Sequence, residues 1–281
     1  MKNVLIIGGT GMLGTSITSR LEANQMVTSC SSNELDLNCS RSVDAIIARK
    51  RPDYVINCAA YTAVDLAEQE TTKAYQLNAT AVQHLAQVCN QYRATLIHFS
   101  TDYVFSGMEQ SPYQPDHQTN PVNVYGASKL AGEKAISRLA GAFYIFRTSW
   151  LYAPYGKNFY KWVAGTDAIE LKIVDTQRGA PTSCLDLADF INHLIKNDPR
   201  KYGTYHLTNK GEMTWYDFAV SINQKQSLDK KIIPVAKFDT AASRPNYSVM
   251  DLTLTEEVFQ YSLPTVDEGL DGVVTQSNKT I

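Results

Sequence analysis

The residues of this chain best suited to chemistry are a tyrosine and a lysine in Tyr125-Gly126-Ala127-Ser128-Lys129. On a helix this spacing puts both side chains on one face. A phenol titrates at about pH 10, too high for rapid acid-base work at neutral pH, but a nearby ammonium stabilises its anion. The pair can therefore pass a proton to an oxygen that is gaining negative charge. A hydroxyl to hold that oxygen stands at Thr101, where Phe99-Ser100-Thr101-Asp102-Tyr103-Val104-Phe105 ends an apolar run. Each feature also has a plain structural use, since Tyr-x-x-x-Lys occurs on helix surfaces and hydroxyls cap turns. Together they suit the reduction of a carbonyl group.

Such a reduction needs a hydride source. The run Ile6-Ile7-Gly8-Gly9-Thr10-Gly11-Met12-Leu13-Gly14 follows an expected strand and opens an expected helix. In that setting Gly8 permits the tight turn, Gly11 lets the backbone approach a pyrophosphate, and Gly14 allows close helix packing. Met12 and Leu13 begin the helix whose free N–H groups favour phosphate charge. An NAD site usually carries Asp or Glu at the end of the second strand. Here Thr28-Ser29-Cys30-Ser31-Ser32 stands there without a carboxylate, so NADPH is permitted, with Ser31 available to its 2′-phosphate and NADH also possible. The absence of an arginine in the same stretch makes the preference moderate.

Both sites depend on strand ends and helix starts. Strands are expected at Asn3 to Ile7, Met26 to Ser29, Tyr54 to Cys58, Thr95 to Ser100 and Phe143 to Thr148. Helices are expected at Gly11 to Glu22, Ser42 to Lys50, Thr72 to Tyr92 and Val124 to Leu139, with Pro52 closing the second. This alternation predicts an α/β fold, a Rossmann-like doubly wound parallel sheet. Beyond Trp150 it weakens, although Leu185 to Ile195 still reads as a helix and Gly203 to Leu207 as a strand. The division expected is a dinucleotide-binding domain over 1–150, with 180–209 packing back onto it, and a smaller C-terminal substrate lobe over 151–281. The polar segment Pro112 to Pro121 is expected as a loop bordering the site.

A net charge of −2 over 281 residues gives no field for nucleic acid, and no apolar run is long enough to span a bilayer. The short apolar start is no signal peptide, so a cytoplasmic protein is expected. Five cysteines without a CxxC pair read as reduced thiols, and five scattered histidines make no metal-ligand pattern. His98 and His206 fall in strand-like runs and read as structural.

The ordered blocks GGTGMLG, NCAAYTAVD, LNAT, STDYVF, YGASKLAGE, RTSWLY, QRGAPT, TWYDF and ASRP resemble the dTDP-4-dehydrorhamnose reductase family over residues 4 to about 245. That family belongs to the extended short-chain dehydrogenases, as does the G-x-x-G-x-x-G spacing. The resemblance implies NADPH-dependent reduction of the C4 keto group of dTDP-4-dehydro-L-rhamnose. It implies catalysis by Thr101, Tyr125 and Lys129, with Lys129 also on the nicotinamide ribose. It places Asp36, Leu37, Ala59, Ala60 and Tyr61 on the cofactor, and Val64, Asp65, Asp102, Tyr103, Trp150 and Arg244 near the substrate. A small-molecule nucleotide-sugar partner and a monomer or homodimer are expected, without nucleic acid or membrane.

The chain departs from the family at several points. Thr15-Ser16 replaces an acidic residue that some members use for Mg²⁺, so no metal is expected. The 159–177 segment is shorter, and the tryptophan that often follows the proline at position 264 is missing. Two rivals share the fold: a sugar-nucleotide dehydratase or epimerase, and a binding protein like the regulatory subunit of methionine adenosyltransferase. Tyr103, where dehydratases have glutamate, argues against the first. Retention of Thr101, Tyr125 and Lys129 argues against the second.

Overall fold

The computed structural model describes residues 1–21 and 25–279. In chain order the first elements are β1 (Asn3–Ile7), α1 (Met12–Leu21), β2 (Met26–Cys30), α2 (Ser40–Lys50) and β3 (Tyr54–Asn57). There follow α3 (Val64–Ala67), α4 (Thr71–Tyr75), α5 (Ala81–Tyr92), β4 (Thr95–Thr101), α6 (Val124–Leu139) and β5 (Phe143–Thr148). The remainder comprises β6 (Leu151–Tyr152), α7 (Phe159–Gly165), β7 (Glu170–Val174), β8 (Arg178–Gly179), β9 (Thr182–Ser183) and α8 (Cys184–Asn197). It ends with β10 (Gly203–His206), β11 (Met213–Thr214), α9 (Trp215–Lys225), β12 (Lys231–Val235), α10 (Thr253–Phe259) and α11 (Val266–Lys279). Glu22, the expected end of the first helix, lies outside the described residues.

Six strands form one parallel sheet in the order β2-β1-β3-β4-β5-β10. All residues of β3 and β4 are buried, as expected for central strands covered on both faces. One face carries α1 and α8, whose Leu13, Ile17, Phe190, Ile191 and Leu194 pack on Ile6, Ile56 and Phe146. The other carries α2 and α5, with Val43, Ile47, Val82 and Leu85 against Leu5, Val55 and Leu96. The chain leaves β1 outward to β2, then crosses to β3 on the other side of β1. That reversal opens a crevice at the carboxyl ends of β1 and β3, where doubly wound folds bind ligands.

A third core, with Tyr152, Tyr160, Leu171, Ile173, Phe218, Ile222 and Leu270, holds the C-terminal elements around the short parallel pair β7 and β12. Residues 184–206 return to the large sheet, α8 as its cover and β10 as its edge strand. Two expectations need correction. The helix expected over Thr72 to Tyr92 contains a five-residue π segment, Gln76–Thr80, between α4 and α5. The segment Pro112 to Pro121 does not line the crevice. Tyr113 is buried against Phe105, and Arg147 donates to the Pro115 carbonyl, which draws the segment toward the buried Arg147–Glu133 pair.

Candidate active site

A cleft of about 420 Å³ occupies the crevice. One wall is the glycine turn, through Gly11, Met12 and Leu13; the end of β3 adds Asn57, Cys58, Ala59 and Ala60. Gly8 turns the chain at φ 77°, and its carbonyl lies 2.2 Å from where a Gly14 Cβ would be, so α1 reaches the strand only with glycine there. The first turn of α1 has N–H groups without intrahelical partners and opens on this cleft. A dinucleotide pyrophosphate fits that cradle.

The floor holds the predicted trio. Thr101 ends β4, Tyr125 and Lys129 stand one turn apart on α6, and all three line the cleft with Asp102. Asn123 caps α6 by accepting from the Gly126 N–H at 2.7 Å, which fixes the first turn that carries the tyrosine. The Tyr125 hydroxyl is hydrogen-bonded with Thr101, yet burial pushes its pKa up to about 12, with the Asp102 carboxyl adding to the rise. Lys129 is brought down to about 8 by burial, against the pull of Glu133 and Cys58. Burial and Asp102, rather than Lys129, set the tyrosine's rise here. The lysine Nζ lies deeper, donating to the Phe99 carbonyl at 2.6 Å and meeting His98 Nε2 at 3.3 Å.

Further polar groups surround the trio, and among them Asn78, Ser100 and Thr148 were not singled out from the sequence. Asn57 Oδ1 accepts from the Ala59 N–H, which leaves its amide nitrogen 3.1 Å from His98 Nδ1. The ring hydrogen is thereby assigned to Nε2, facing Lys129. Burial and the Lys129 charge keep the ring neutral, its pKa well below the ordinary range. His98 is fully buried behind the cleft, where it links Asn57 to Lys129. Asn78, in the π segment, bonds the Tyr61 backbone at both its N–H and its carbonyl, and donates to Ser128 beside Lys129. Its motif LNAT carried the only sequence signal. Ser100 Oγ, Asp102 Oδ2 and Thr148 Oγ1 are buried on the cleft floor without hydrogen-bond partners. Unpaired polar atoms are costly in a core, and three around one cleft suit a polar ligand. Burial raises Asp102 to about 6.

Trp150 closes the far side of the cleft. It adopts φ 48° and stacks on Trp215 with centroids 3.7 Å apart. A Cβ on Gly179 would come within 2.8 Å of the Trp150 ring, which explains the glycine of the QRGAPT block. Behind the stack lies a second cleft of about 400 Å³, faced by Phe159, Trp162, Trp215 and Phe238 together with Lys172 and Arg244. Arg244 holds Asp65 of α3 through two bonds of 3.1 and 2.6 Å, and Tyr103 bonds the same guanidinium. Tyr103 in turn packs edge-on against Tyr125 at 5.9 Å. The second group of predicted residues thus abuts the first.

Other predicted residues stand apart. Leu37 is buried in the core with Ile7 and Ala59, so its side chain serves packing. Asp36 accepts from the Asn38 N–H, and Tyr61 donates its hydroxyl to Glu70. Val64 opens α3 beside the Asp65–Arg244 pair without lining either cleft. Ser31 directs its N–H and hydroxyl to Glu34. Among the described residues no group of three or more His, Cys, Asp or Glu side chains gathers as a metal site, and no helix is long and apolar enough to cross a membrane.

A parallel doubly wound sheet, a glycine turn at its switch point and a Tyr-x-x-x-Lys helix beside a strand-end threonine define a nicotinamide-dependent oxidoreductase of the extended short-chain type. The model of the RmlD substrate binding domain family matches residues 1–279. The dTDP-4-dehydrorhamnose reductase of Salmonella typhimurium is 35% identical, with 98% of this chain and 97% of that protein aligned. The crystal structure of a dTDP-4-dehydrorhamnose reductase from Clostridium acetobutylicum superposes with a TM-score of 0.94 at 37% identity, covering 98% of this chain and 99% of that one. The Bacillus anthracis enzyme in complex with NADP gives a TM-score of 0.94 at 36% identity, covering 98% and 100%. The chain belongs to the dTDP-4-dehydrorhamnose reductase family.

Proposed function

We propose that this chain reduces the C4 keto group of dTDP-4-dehydro-L-rhamnose to give dTDP-L-rhamnose, with NADPH as the reductant. The observation that carries the reading is the meeting of the glycine turn with Thr101, Tyr125 and Lys129 in one cleft at the sheet's switch point. Bound there, a reduced nicotinamide supplies the hydride. Gly8, Gly11, Met12, Leu13 and Gly14 hold the pyrophosphate, and Ala59 and Ala60 leave room beside it. Tyr125 donates a proton to the sugar oxygen, while Thr101 bonds the same oxygen and aligns it. Lys129 holds the nicotinamide ribose and, when charged, favours the tyrosine anion left behind.

The sugar sits between Tyr125 and Trp150, and the nucleotide extends into the second cleft. Flat aromatic faces there suit a base, and Lys172 and Arg244 suit a diphosphate. The cofactor lobe comprises residues 1–150 with 180–209, and the rest of 151–281 forms the substrate lobe. The enzyme acts in the cytoplasm, as a monomer or homodimer, without nucleic-acid or membrane partners. The test is NADPH oxidation by purified protein offered dTDP-, UDP- and GDP-linked 4-keto sugars. Turnover highest with the dTDP sugar is expected. Tight cofactor binding with no turnover on any of them would instead indicate a binding protein.

A further inference from the structure

Resting on the cofactor reading above, we propose that Glu34 sets the balance between NADPH and NADH by placing a carboxylate at the end of β2. In a doubly wound sheet the adenosine ribose lies over the carboxyl end of the second strand, where an acidic side chain bonds its hydroxyls and repels a 2′-phosphate. The strand end itself, Cys30-Ser31-Ser32, has no such group. The fold returns one from three residues further on. Glu34 Oε2 accepts from the Ser31 N–H at 2.8 Å and from the Ser31 hydroxyl at 2.7 Å, and the Glu34 N–H donates to the Ser31 carbonyl at 3.2 Å.

This closed turn is anchored to the cofactor cradle. The N–H groups of Gly8 and Gly9 both donate to the Cys30 carbonyl, at 3.0 and 2.9 Å, so the glycine turn rests directly on the strand end that carries Ser31. The two Ser31 donors hold the Glu34 carboxyl below its ordinary range and keep it charged at neutral pH. The side chain is exposed, and the loop after Ser31 contains no Lys or Arg before Arg41 in the next helix. A 2′-phosphate arriving at Ser31 meets a like charge and finds both donors engaged. A ribose hydroxyl meets an acceptor. Ser31, read from the sequence as a phosphate contact, is thereby turned toward NADH use, and both cofactors remain usable.

The experiment is fluorescence titration of the full chain with NADPH and with NADH, without sugar, for the wild type, Glu34→Gln and Glu34→Lys. Glu34→Gln keeps an acceptor for Ser31 and removes the charge. It is expected to shift the ratio of the two dissociation constants toward NADPH by about tenfold, the order expected when one exposed charge near a phosphate is neutralised. Glu34→Lys is expected to shift it further in the same direction. Equal weakening of both nucleotides, or a ratio moved by less than about twofold in both variants with unchanged melting temperatures, would make Glu34 a loop clasp and overturn the proposal. A wild-type chain that bound neither nucleotide would overturn the cofactor reading and this proposal together, an outcome distinct from an unmoved ratio.

Discussion

The two clefts that meet at the Trp150–Trp215 stack are built from different materials. The inner one is floored by strand ends and carries buried polar atoms, three of them unpaired, with a lysine and a carboxyl both shifted toward neutrality by burial. The outer one is walled by four aromatic rings, two of them half exposed, and its cations stand at the surface or pair with Asp65. Rigid, dry, polar surroundings suit bond making, because dipoles aimed at a developing charge are worth most where water is excluded. Broad apolar faces suit recognition, where affinity comes from area and shape. On this division, damage to the inner cleft lowers turnover and damage near the stack weakens substrate binding.

Tyr125→Phe should break the inner cleft most severely. It keeps the ring against Tyr103 but removes the proton, so kcat should fall by roughly 10²- to 10⁴-fold with NADPH affinity preserved, as steady-state kinetics and titration together will show. Trp150→Ala should act at the boundary. Loss of the ring opens the partition and strips a flat face from the sugar, so KM for the sugar nucleotide should rise about tenfold with cofactor affinity unchanged. Equal loss of cofactor binding would show that the stack holds the lobes together rather than the sugar.

The smallest effect concerns stability. Asp102 has a folded pKa raised to about 6 from the model-peptide value of 3.8, so the native state holds an extra proton between these values and loses stability as pH rises through them. Asp102→Asn should therefore stabilise the protein at pH 7.5, by about 1–3 kcal/mol or a few degrees in Tm, while lowering activity. At pH 4, near the unfolded value, the gain should largely vanish. Thermal melts at the two pH values check both the sign and the window. A variant less stable at pH 7.5 would mean that the carboxylate is satisfied in a way the inner cleft does not show.

The sequence was most informative where local pattern and tertiary role coincide. β1, α6 and β5 fall at their expected bounds, because continuous apolar runs and an Asn cap before Tyr125 specify them locally. The trio was legible for the same reason, since its spacing lies within one helix and one strand end. The π segment was not, because Asn78 within it bonds Tyr61 and Ser128, partners distant in the chain. The outer cleft was also hidden. Phe159 and Trp162 of α7, Trp215 of α9 and Phe238 beyond β12 come from three separate segments, and only folding assembles them. The depth of the lysine was not legible either, because spacing on a helix says nothing of it, and Lys129 is turned to the Phe99 carbonyl.

The inner cleft is built to deliver hydride to one carbon of a nucleotide-linked sugar. The most direct measurement uses NADPH deuterated at the nicotinamide C4, with each diastereomer tested separately, and follows the label by NMR of the sugar product. One diastereomer is predicted to leave deuterium at sugar C4, with a hydroxyl formed there and one equivalent of NADP⁺ released per sugar. Label retained on the nicotinamide with both diastereomers, or a product that keeps its carbonyl or differs only in configuration at a neighbouring carbon, would contradict hydride delivery to C4.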